Sequence, residues 1–150
     1  MTTTPRPVRS AIALWLAAIG AGVAETLVRL GLPDAPSADQ VATRFAIYAA
    51  LVVLVLALRT GRNAVRWALA VLLGVVGMAS LVVEPLTWVL DGGSPLLFLL
   101  TADGPALVIT TLRAPHVVAV LGALAMMFRP AANAFFSRSR TAGGGERARR

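Results

Sequence analysis

The sequence predicts an all-α integral membrane protein: a four-helix bundle with both its N- and C-termini in the cytoplasm. Three observations point there. Of the 150 residues, 57% are hydrophobic and 14% charged, whereas a soluble domain carries about 45–50% apolar and about 25% charged residues. The apolar residues gather in four stretches, each near the ~20 residues that a helix needs to cross a ~30 Å hydrocarbon layer. The arginines gather between those stretches, predominantly on one side of the layer they would cross, and such a bias sets orientation. A helix satisfies its own backbone inside lipid, so the hydropathy dictates helices.

The first span is expected at about Ala11 to Leu30 and the second at about Val41 to Leu58. Between them the loop Gly31 to Gln40 is polar and rich in turn formers. The third span is expected at about Trp67 to Leu90, after the tight basic loop Thr60 to Arg66. His116 to Phe128 is too short to cross alone, so the fourth span extends back to about Ala106 and takes in Pro115 as a kink, because proline removes a backbone donor. The loop Asp91 to Pro105 holds the apolar run Pro95 to Leu100, expected as an interfacial turn or a flap. Residues 1–10 form an arm, 11–130 the bundle, and 131–150 a basic tail expected to be disordered. The indoles of Trp15, Trp67 and Trp88 are expected near the interfaces, where they anchor helices.

Arginine counts fix the predicted orientation. Arg6, Arg9, Arg59, Arg62, Arg66, Arg129, Arg138, Arg140, Arg147, Arg149 and Arg150 fall on one side, and Arg29, Arg44 and Arg113 lie towards the other. Asp34, Asp39, Asp91 and Asp103 fall in the opposite loops. The expected location is a bacterial plasma membrane, multi-pass. An alternative stays open for the first stretch: Arg6 to Arg9, then Ala11 to Ile19, then Gly22-Val23-Ala24 also has the layout of a cleaved signal peptide. Its apolar continuation to Leu30 favours a span.

Chemistry is sparse. With no cysteine, one histidine and no lysine, disulfides, thiolate metal sites and iron–sulfur centres are excluded. Few nucleophiles or bases remain, so the expectation is no enzyme, no cofactor and no metal. The net charge of +7 follows membrane topology rather than nucleic acid, because the arginines sit between apolar runs instead of among exposed aromatics.

Depth singles out the ionisable residues. At 1.5 Å per residue, Ala11 to Glu25 is about 21 Å, Leu58 back to Arg44 about 21 Å, Trp67 to Glu84 about 25 Å and Phe128 back to Arg113 about 22 Å. All four spans thus carry a charge in one layer, about 5–10 Å below the outer boundary of the core. Glu25 and Arg29 are i,i+4 and Arg113 and His116 are i,i+3, so each pair shares a helix face. Tyr48 lies one turn deeper than Arg44, and Gly22, Gly74 and Gly77 permit close backbone approach. The expected cluster is Glu25, Arg29, Arg44, Tyr48, Glu84, Arg113 and His116. It is either an outward-opening site for an anion or a proton, or inter-helix pairing with Arg29 and Arg44 reaching the headgroups.

Two resemblances attach to short motifs. Gly61-Arg62-Asn63 followed by Arg66-Trp67, together with Arg129-Pro130-Ala131-Ala132-Asn133-Ala134-Phe135-Phe136, resembles small four-span membrane proteins of GC-rich actinobacteria. That group lacks an assigned activity, so the resemblance implies location and fold. Ala24-Glu25 followed by Leu27-Val28-Arg29 is similar to the glutamate-bearing first span of small multidrug resistance transporters. Here Glu25 lies near the outer end, three arginines would repel organic cations, and the third loop is longer. The expected role is a non-catalytic structural, assembly or regulatory subunit, with the lipid bilayer, another membrane protein or a second copy as partner. The alternative is a small transporter or channel component moving protons or anions through the outer polar layer.

Overall fold

The computed structural model describes residues 4–33 and 35–137. Among them the fold is entirely helical, and four helices are long and apolar enough to cross a membrane. Asp34 and the tail from 138 onwards, with Arg138, Arg140, Arg147, Arg149 and Arg150, lie outside the described residues.

Helix α1 (Arg6–Leu30) carries a proline in its first turn and stops before Gly31, positions where a missing N–H and a permissive backbone are favourable. Helix α2 (Ala38–Leu56) follows Ser37, whose backbone N–H donates to Gln40 Oε1 at 3.3 Å, one half of a capping box. A 3₁₀ turn, Ala57–Thr60, prolongs it. The third span, Asn63–Leu90, is continuous but not uniform. It comprises α3 (Asn63–Leu69), a π-helical stretch (Ala70–Gly77) and α4 (Met78–Leu90). The short α5 (Pro95–Thr101) is capped by Ser94 Oγ, which accepts from the Leu97 N–H at 3.3 Å. Helix α6 (Gly104–Met127) is capped by Asp103 Oδ1, which accepts from the Ala106 N–H at 2.9 Å, and Pro115 lies inside it. Residues 130–137 form a last helix.

Each span starts a few residues earlier than its hydropathy suggests, because the capping residues lie in the polar flanks. Two further differences matter. The apolar run Pro95–Thr101 is a helix rather than a turn. Residues 130–137 are helical rather than disordered, with Ala132 and Phe136 buried. Those two are i,i+4, so one apolar face docks on the bundle.

Packing is uneven along the bundle. Helix α1 lies most extensively against α6 and next against α2, while the third span lies against α6 and, through α3, against α2. Both Val8 and Phe136 belong to one core cluster, so the two ends of the described chain share one end of the bundle, here the terminal end. The opposite, loop end carries 31–33, 35–37 and 91–103. Nearly the whole core lies in the terminal half. In α2 the buried residue is Val55, in α6 burial begins at Ala119, and α4 and α5 have none. Only α1 stays buried further, to Gly22 and Thr26. Trp15, expected at an interface, is instead fully buried, its indole N–H donating to Met127 Sδ at 3.4 Å. It lies on the α1 stripe that carries Ala11, Ala18 and Gly22, small residues that leave room for the ring.

Candidate functional site

The inward stripes of the helices change character along their length. Arg113 precedes the buried Val120 by seven residues, about two turns, and Arg44 precedes the buried Val55 by eleven, about three turns. Each arginine therefore faces the way its helix's core residues face, but at the loop end, where the helices do not close. The stripe is apolar in the terminal half and ionic in the other. In the third span the π-helical stretch interrupts this register, and a hydrogen bond rather than periodicity places Glu84.

Three spans meet in one ionic network. Glu25 Oε1 accepts from Arg29 Nε at 3.2 Å and Nη2 at 3.0 Å within α1. Arg113 Nη2, from α6, lies 3.5 Å from the same oxygen and donates to Glu84 Oε2 of α4 at 3.1 Å. Arg113 is thus held between two carboxylates on two other spans. Burial differs sharply across the network: the Glu25 side chain is 14% exposed and that of Glu84 74%. The buried Arg113 Nε has no hydrogen-bond partner among the described residues. His116 is half-buried one turn further along α6 and lies within electrostatic reach of Glu25.

Tyr48 belongs to a separate seam. Its hydroxyl, the Thr26 hydroxyl and the Gly22 carbonyl form a triangle: Tyr48 Oη lies 3.1 Å from both Gly22 O and Thr26 Oγ1, and Thr26 Oγ1 lies 2.9 Å from Gly22 O, the two hydroxyl protons serving two of the three contacts at a time. A Cβ on Gly22 would stand 3.2 Å from the Tyr48 oxygen, so glycine is what lets α2 approach α1 here. Arg44 is not drawn into the network: it is exposed and makes no ion pair among the described residues.

Of the predicted cluster the structure joins Glu25, Arg29, Glu84 and Arg113, sets His116 beside them and Tyr48 below them, and leaves Arg44 apart. Thr26 was missed, although its place four residues after Gly22 marks it as able to bond that carbonyl. Arg66 was read only as a topological charge. It is 7% exposed, its guanidinium lies 4.1 Å from the Phe128 ring centroid and 5.3 Å from that of Phe136, and its Nη2 donates to Asn133 Oδ1. Its partners are remote in sequence, so only the Phe and Asn content of 128–136 hinted at them. Among the described residues no group of three or more His, Asp or Glu is placed to hold a metal.

No known protein family matches the chain, and no curated protein or solved structure matches it either.

Proposed function

We propose that this protein is a non-catalytic subunit of the bacterial plasma membrane, with its terminal end cytoplasmic, that receives another membrane segment in the open outer half of its bundle. The carrying observation is Glu84, a carboxylate 74% exposed on a helix with no buried residue and, among the described residues, tied only to Arg113. An ionic group in the hydrocarbon region is costly unless it is paired or wet. Arg44, on the inward stripe of α2 and without an ion pair among the described residues, adds a second unfilled position at the same level. The Glu25–Arg113–Glu84 network fixes the spacing of α1, α6 and α4, and so holds the opening to a defined width. A membrane segment with a polar group at that depth fits this opening.

The natural absence of cysteine allows a direct test. Arg44→Cys and Glu84→Cys are each labelled with a membrane-impermeant maleimide applied from outside, in native membranes and after purification in mild detergent. An occupied opening leaves both thiols protected in membranes and reactive once purified. Full labelling in native membranes overturns the subunit reading.

That same result favours the second possibility, an outward-facing polar vestibule for a proton or an anion. The observation on its side is the half-buried His116 within reach of Glu25, a proton-exchanging group next to the Glu25–Arg113–Glu84 network.

A further inference from the structure

A groove of about 560 Å³ lies at the terminal end, between the start of α1 and the turn that ends the second span. It is lined by Thr4, Arg9, Ile12, Ala13, Leu16 and Arg59. Arg9, Ala13 and Leu16 stand at i, i+4 and i+7, so one face of α1 runs from a guanidinium to an apolar wall. Arg59 reaches the groove from a different element, the 3₁₀ turn Ala57–Thr60. The ion pairs among the described residues all belong to the network at the loop end. Arg9 and Arg59 therefore face a common space in which no carboxylate among the described residues pairs with them.

We propose that this groove binds an anionic glycerophospholipid, with Arg9 and Arg59 on the phosphate and Ile12, Ala13 and Leu16 against the upper part of an acyl chain. The site does not depend on what fills the opposite end; it rests only on the membrane placement given above. In that placement Arg9, in the first turn of α1, and Arg59, in the turn that ends the second span, both lie at the level of the inner-leaflet phosphates. A guanidinium suits phosphate because its planar fork can donate two parallel hydrogen bonds. Basic pockets between spans on the cytoplasmic side bind anionic headgroups for this reason. A volume near 560 Å³ falls within the range of about 300–1,000 Å³ typical of ligand sites. It accommodates a headgroup and the first carbons of a chain, while the remainder lies along α1 in the bilayer. Two uncompensated cations select an anionic over a zwitterionic headgroup.

The test is native mass spectrometry of the full chain in mild detergent, titrated separately with phosphatidylglycerol, phosphatidylcholine and inorganic phosphate. The wild type retains one phosphatidylglycerol in preference to phosphatidylcholine. The double substitution Arg9→Gln with Arg59→Gln weakens that retention at least about tenfold. Ala13→Trp keeps every charge but fills the groove, and weakens it comparably. Arg6→Gln with Arg62→Gln removes the same charge at the same end outside the groove, and leaves retention intact. Circular dichroism confirms that each variant keeps its helix content. Equal loss in the Arg6 and Arg62 pair, or equal retention of the zwitterionic lipid, overturns the site. Inorganic phosphate binding as tightly as the lipid overturns the lipid as its source. None of these outcomes bears on the maleimide test at the loop end, so the two proposals fail separately.

Discussion

Glu25 and Glu84 hold the same arginine, yet their surroundings make them unequal. Glu25 is mostly buried and its Oε1 serves both Arg29 and Arg113, so Glu25→Gln removes the carboxylate paired with Arg29 and leaves Arg113 with Glu84 alone. Breaking a buried ion pair costs about 3–5 kcal/mol, and with 14% of the side chain exposed the lower end, ~3 kcal/mol, is expected. Glu84 is largely exposed, and exposed pairs contribute about 0–1 kcal/mol. Glu84→Gln should therefore cost the isolated protein less than ~1 kcal/mol. Denaturant unfolding of both variants in mild detergent checks the order, and an equal cost would mean that the network acts as one unit. Tyr48→Phe removes a hydroxyl bonded to both Thr26 and Gly22 and should cost about 1 kcal/mol, by the same measurement. The depth coincidence in the sequence pointed to Glu25, Glu84 and Arg113, and the i,i+4 spacing from Glu25 added Arg29, since helices of similar length that share ends bring equal depths together. It could not reveal that Arg44 stays apart, because the splay of α2 away from the third span is a property of packing.

At the scale of elements, the helix of residues 130–137 is the piece that charge counting concealed. Arginines around it suggested a solvated tail, but Ala132 and Phe136 are buried and Arg66 reaches across to Asn133. Arg66 lies under two phenyl rings, a cation–π arrangement that gains strength where water is excluded. Phe136→Ala should cost about 3 kcal/mol, as truncation of a buried aromatic does. It should also raise hydrogen exchange in 130–137 more than in α1. Uniform exchange across both would mean that this helix and the bundle open together. Helix positions were otherwise legible, since four apolar stretches allow few other arrangements. The π-helical stretch was not, because nothing in AVLLGVVG departs from an ordinary apolar helix; what distinguishes it is Gly74, where a Cβ would lie 3.0 Å from a Leu124 methyl.

As a whole the molecule is closed at one end and open at the other. Cysteine scanning of the purified protein should show this directly: Arg44→Cys and Glu84→Cys react rapidly with maleimide, while Ala123→Cys, at a fully buried position on α6, reacts only on unfolding. Rapid reaction at position 123 would mean that the terminal half is not sealed. The contact between α1 and α6 that seals it has a further consequence. The Trp15 indole meets Met127 across 112 residues of chain, and of the four spans theirs are made first and last. During synthesis the most deeply buried face of α1 must wait, uncovered by α6, until the three later spans have been made. The fourth span is the lock, and a chain truncated before it exposes to the cell's quality control the α1 surface that the folded bundle hides best.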